Sequence, residues 1–114
     1  MSADNQDQEY LAQAIALAQR GVDEDRGGPF GAIIVKDGKI IGEGNNGVTS
    51  TNDPTAHAEV TAIRNACKNI DNFQLDGATI YSSCEPCPMC LAAIYWARIE
   101  RVVYACTRDD AADI

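Results

Sequence analysis

Positive charge is what this sequence has least of. Nine Lys and Arg stand against 17 Asp and Glu, a formal net charge of −8, and the pI is near 4.4. The basic residues are scattered from Arg20 to Arg108 without a run. No broad electrostatic affinity for phosphate backbones is therefore available, which argues against a nucleic-acid partner and for small substrates. Long apolar runs are missing as well: none approaches the roughly 20 residues that a membrane span needs. Met1–Asp7 is polar and acidic, without the basic start and apolar centre of a secretory signal. Repeats, low-complexity segments and linker-like stretches are absent, so the 114 residues read as one domain with a single sheet-and-helix core. Histidine is represented once, by His57. The five cysteines are an odd number, and three crowd into Cys84–Cys90. That usage suits metal chemistry in a reducing compartment better than a disulfide framework, and it predicts a cytoplasmic protein.

Periodicity supplies the elements. Leu11, Ala14, Ile15, Leu17 and Ala18 fall at helical spacing and Gly21 is a natural stop, which predicts an amphipathic helix over about Asp7 to Arg20. Arg26-Gly27-Gly28-Pro29 reads as a loop. Phe30–Val35 and Lys39–Glu43 are apolar, β-branched runs joined by Lys36-Asp37-Gly38, a hairpin with an Asp-Gly turn. A polar stretch through Asn52-Asp53-Pro54 leads to a helix carrying Val60, Ile63, Cys67 and Ile70 on one side, with His57 and Glu59 in its first turn. Thr79–Ser82 is a strand that hands over to a helix ending near Ala97. Arg101–Cys106 is another strand, apolar enough to predict burial on both faces. The order αββαβαβ implies an α/β fold whose sheet is covered on both faces, with sites at the strand-to-helix turns.

Chemistry concentrates at two of those turns. In Ser83-Cys84-Glu85-Pro86-Cys87-Pro88-Met89-Cys90, cysteines at i and i+3 with proline directly after the first describe the opening turn of a helix. The positive end of that helix favours thiolate and prepares Cys87 and Cys90 for a metal. His57, in Thr55-Ala56-His57-Ala58-Glu59, is the candidate third ligand. Three protein ligands leave one zinc position open, as in catalytic sites. Glu59 would not bind the metal, and H-x-E followed by P-C-x-x-C is a zinc deaminase signature with the glutamate as proton carrier. A lone histidine or a lone glutamate would be unremarkable; the joint pattern is not. Cys84 leaves an alternative open, because it could close a four-ligand structural zinc site, although that reading leaves Glu59 without a role. The spacing C-x2-C-x2-C also fits iron–sulfur ligation, but the fourth cysteine of that arrangement would fall near Ile94. Cys67 and Cys106 read most simply as small core residues.

Asn52-Asp53-Pro54-Thr55-Ala56-His57-Ala58-Glu59 and the cysteine stretch resemble the cytidine deaminase-like superfamily. Gly27-Gly28-Pro29-Phe30-Gly31, Ala93-Ile94-Tyr95-Trp96-Ala97-Arg98 and Asp109-Asp110-Ala111-Ala112 are similar to its bacterial guanine deaminase branch. The resemblance implies a three-layer α/β/α sandwich with a mixed central sheet, one Zn2+ per chain on His57, Cys87 and Cys90, and Glu59 as proton shuttle. It implies that Asn46 and the Ala58 N–H face the base, with Phe30 and Trp96 at pocket-wall positions. Phe30 reads almost as well as a core aromatic beside the sheet. The implied reaction is hydrolytic deamination of a purine base, guanine to xanthine and ammonia. Deamination of adenosine in tRNA, or of guanosine or cytosine, uses the same core and stands as an alternative. Members of the branch continue with a further strand and helices, so residues 1–114 resemble the deaminase domain without that tail. The apolar last strand is then expected to seek another chain, and a homodimer or higher self-association is implied.

Overall fold

Alternation along one strand sets the layers. The computed structural model describes residues 5–23 and 29–107. Strand β1 (Gly31–Lys36) buries Ala32 and Ile34 towards one side and Ile33 and Val35 towards the other. A strand apolar on both faces must be covered on both. Helix α1 (Asn5–Asp23) supplies one cover, laying Ala14 and Leu17 against Ile33, Val35 and Tyr81. Helices α3 (Ala58–Ile70) and α4 (Pro88–Trp96) supply the other: Ala58, Ala62, Ala66 and Ile94 pack with Ala32, Ile34 and Ile80. With β2 (Lys39–Asn45), β3 (Thr79–Cys84) and β4 (Arg101–Cys106), the sheet runs β2-β1-β3-β4. It is mixed, with β1 antiparallel to β2 and β3 and the β3–β4 pair parallel. This is the expected three-layer α/β/α architecture.

Two local features bring α3 to the site. The β1–β2 hairpin turns at Asp37 and Gly38, whose φ values of 53° and 76° are the left-handed pair that an Asp-Gly turn supplies. Along β2, Gly42 and Gly44 face the alanines of α3, and a Cβ on Gly42 would lie 2.6 Å from the Ala62 carbonyl oxygen. Glycine on the strand opposite alanine at i, i+4 and i+8 of the helix therefore lets the two backbones lie close. That packing brings the start of α3 alongside the end of β2. Farther along, Asn65 and Asn69 donate their side-chain amides to the Glu43 and Ile41 carbonyls at 2.7 and 2.9 Å, capping acceptors on the outer edge of the sheet.

The structure departs from the sequence reading in several places. Helix α1 extends beyond Asp7 and Arg20 at both ends. A one-turn helix, α2 (Val48–Thr51), interrupts the polar stretch, where four residues are too few to show a period. Strand β4 is not buried on both faces: it lies at the sheet edge, and Tyr104 is 43% exposed. Its apolar composition reflects β-propensity more than burial. Cys106 is not a core residue, and the cysteines are not all free. Cys84 and Cys106 stand opposite each other on neighbouring parallel strands, Cα atoms 4.6 Å apart, and form a disulfide. The loop reading over Arg26–Gly28 and the similarities at Gly27, Gly28 and Asp109–Ala112 lie outside the described residues.

Candidate functional site

Two helix N-termini meet at one end of the sheet, beside the carboxyl ends of β2 and β3 and the amino end of β1. His57 is the N-cap of α3, with φ −70° and ψ 155° and no capping bond from its side chain, so its ring is left for other work. Cys87 is the N-cap of α4 in nearly the same extended conformation, with Pro88 as the first helical residue, as the sequence predicts. Cys90 follows within the first turn and is fully buried. Ahead of α4, the Ser83 hydroxyl accepts the Gly31 N–H at 3.0 Å and pins the end of β3 to β1. The Glu85 N–H donates to the Cys106 carbonyl at 2.6 Å, so the turn into α4 is tied to β4 as well.

The donor atoms converge. The sulfurs of Cys87 and Cys90 each lie 3.5 Å from His57 Nδ1, and the three donor atoms are all within 4.8 Å of one another. Tetrahedral zinc with bonds of about 2.3 Å to sulfur and about 2.0 Å to nitrogen separates those atoms by roughly 3.5 Å. The trio fits zinc, with His57 contributing Nδ1. Without a cation the site disfavours the Cys90 thiolate expected at a helix N-terminus: burial first, then the neighbouring Glu59 and Cys87, push that thiol well above its ordinary range. A thiolate at that position needs a cation beside it, and metal binding would release its proton. Cys84, the candidate fourth ligand, is committed to Cys106.

Beside the trio lies a cavity of about 260 Å3. His57, Cys87, Ala58 and Glu59 form one part of its wall, and Phe30 and Asn46 another. Glu59 is 7% exposed. Burial pushes its carboxyl upward, opposed by hydrogen bonds from its own backbone and Cys90 and by the charge of His57. Asn46 Oδ1 accepts the Val48 N–H at 3.0 Å, which leaves the amide nitrogen as a hydrogen-bond donor. Trp96 is not brought to the cavity. It is 71% exposed on the outer side of α4, its ring edge-on to Tyr95 at 5.9 Å. The sequence reading missed Ser82, Cys84 and Glu85 as lining residues. A signal was present, because Ser82 and Cys84 alternate on the strand that leads into the cysteine stretch.

The family model described as the cytidine and deoxycytidylate deaminase zinc-binding region matches residues 4–106. Guanine deaminase of Bacillus subtilis is 62% identical over 104 residues, covering 91% of this chain and 67% of that protein. Its X-ray structure superposes with a TM-score of 0.92, covering 97% of this chain and 69% of that one. A tRNA-specific adenosine deaminase of Aquifex aeolicus is 42% identical over 96 residues, covering 84% of this chain and 63% of that protein. The chain thus spans about two thirds of the length of these relatives. On its matched residues and its convergent His57, Cys87 and Cys90, the chain belongs to the cytidine and deoxycytidylate deaminase zinc-binding family.

Proposed function

We propose that the protein is a zinc-dependent aminohydrolase that converts guanine and water into xanthine and ammonia. One observation carries this reading: the buried carboxyl of Glu59 shares a cavity wall with His57 and Cys87, a placement that a purely structural zinc site would leave without use. The 62% identity to a guanine deaminase directs the substrate choice towards guanine over adenosine in tRNA. The net charge of −8 agrees, since a polyanionic substrate would be repelled.

His57, Cys87 and Cys90 would hold the zinc, whose chemistry when bound is to acidify a water and polarise it as a nucleophile. Two thiolates cancel much of the ion's charge, so a positioned base becomes valuable. Glu59 fills that role in this reading. Its carboxylate would take one proton from water and deliver it to the ring nitrogen beside the amino-bearing carbon, then take the second from the new hydroxyl and pass it to the amino group, which departs as ammonia. Atoms balance: water supplies the new oxygen, one proton for the ring nitrogen and one that leaves with ammonia. Asn46 presents its amide N–H to an acceptor on the base, and guanine offers O6 and N7. Ala58, at the start of α3, directs its N–H to the same face, and Phe30 covers the base.

We assign the enzyme to the cytoplasm on its metal-binding thiols, and the Cys84–Cys106 bridge then belongs to an oxidised form of the chain. We further propose a homodimer. Helix α4 exposes Leu91, Tyr95 and Trp96, an outer apolar face that a second copy would cover. Trp96 would then act at a pocket wall only through that assembly. Ammonia release measured on guanine, guanosine, cytosine, adenine and tRNA tests the reading. Turnover of guanine alone or foremost is expected, and turnover confined to tRNA would overturn it.

A further inference from the structure

Between Asn46 and His57 the chain leaves the sheet, makes the single turn of α2 and returns. The two limbs of this excursion are joined at its base, where the Gly47 N–H donates to the Ala56 carbonyl at 2.8 Å. Asp53 sits at the bend and bonds in both directions. Its N–H donates to the Val48 carbonyl at 3.1 Å, and its own carbonyl accepts the Ala56 N–H at 3.1 Å. Its carboxylate accepts the Thr55 N–H at 2.9 Å and the Thr55 hydroxyl at 2.7 Å. Thr55 in turn accepts the His57 N–H on its carbonyl at 2.8 Å. From farther along α3, Arg64 reaches back, 3.6 Å from the other Asp53 oxygen and 3.4 Å from the Thr55 hydroxyl.

We propose that Asp53 is a positioning residue which, through Thr55 and Arg64, sets the placement of His57 relative to Asn46 across the cavity. The inference rests on the zinc deaminase reading and adds to it a residue that touches neither metal nor base. Asp53 and Arg64 keep 38% and 58% of their side-chain surface exposed, so an ion pair there contributes little to global stability. Helix α3 is held to the sheet by the glycine and alanine packing, independently of this loop. Losing the Asp53 bonds would therefore free the segment preceding His57 to open locally while the fold persists. The consequence falls on one ligand and on the limb that carries Asn46.

The test uses the full chain loaded with zinc and compares Asp53→Ala, Asp53→Asn and Arg64→Ala. Zinc release to a chromophoric chelator, KM and kcat for guanine, and the denaturant midpoint are measured on each. Asp53→Ala is expected to release zinc about 10-fold faster or more, the usual scale for residues that orient metal ligands. Its KM should rise, and its midpoint should stay close to that of the parent. Asp53→Asn keeps an acceptor for Thr55 and should recover most of the loss. Arg64→Ala should fall between them. Release from Asp53→Ala at the parental rate overturns the proposal, as does a fall in midpoint large enough to account for the faster release. A parent chain that holds zinc but deaminates no base overturns the functional reading instead, and the chelator assay still decides the role of Asp53.

Discussion

Arg101 at the start of β4 grips Asp7 near the start of α1, Nη2 to Oδ2 at 2.8 Å and Nη1 to Oδ1 at 3.4 Å. Asp7 is only 3% exposed and also accepts the Tyr81 hydroxyl. One buried carboxylate thus joins the first helix, a central strand and the edge strand. Asp7→Asn keeps the shape and removes the charge. It should destabilise the fold by roughly 3 kcal/mol, the low end for breaking a buried pair because Arg101 retains access to water. Urea unfolding at constant slope measures this, and a loss under about 1 kcal/mol would show the pair to be dispensable.

Metal removal should abolish activity reversibly. Elemental analysis should find about one zinc per chain, in keeping with the one trio of donors among the described residues and the open position of catalytic zinc sites. Cobalt substitution should give the absorption of a mixed sulfur and nitrogen site, and His57→Ala should lose both metal and turnover. A chain purified folded and metal-free from zinc-replete medium would rule out the assigned ligand set.

Glu59→Gln separates catalyst from scaffold. The amide fits the same space and cannot take a proton, so zinc content should persist while deamination falls by about 100-fold or more. Full activity in this variant would remove Glu59 from the proton path.

The Cys84–Cys106 disulfide closes a loop that spans 22 positions of sequence and contains both cysteine ligands. Opening it with a dithiol reductant, or by Cys106→Ala, should lower stability by about 3 kcal/mol through the gain in unfolded-state entropy. Zinc content should not change, because Cys84 is not a ligand. Tighter zinc retention in Cys106→Ala, reversed by adding Cys84→Ala, would instead place the freed Cys84 thiol in the metal's coordination shell.

Much of this protein was legible in one dimension. Alternation of strands and helices along the chain implied a sheet covered on both faces, the Asp37-Gly38 pair named its hairpin, and Pro88 between Cys87 and Cys90 marked a helix start with two sulfurs on it. These are local signals, written in the period of side chains and the φ preferences of single residues. Tertiary structure decided the rest. It brought His57 Nδ1 within 3.5 Å of both sulfurs, paired Cys84 with Cys106 across adjacent strands, put Ser82 and Glu85 into the cavity wall and left Trp96 on the outer surface. None of these follows from residue type, because each depends on which strands are neighbours and in what register. Chain order alone does not determine that; it is selected by the joint packing of three layers.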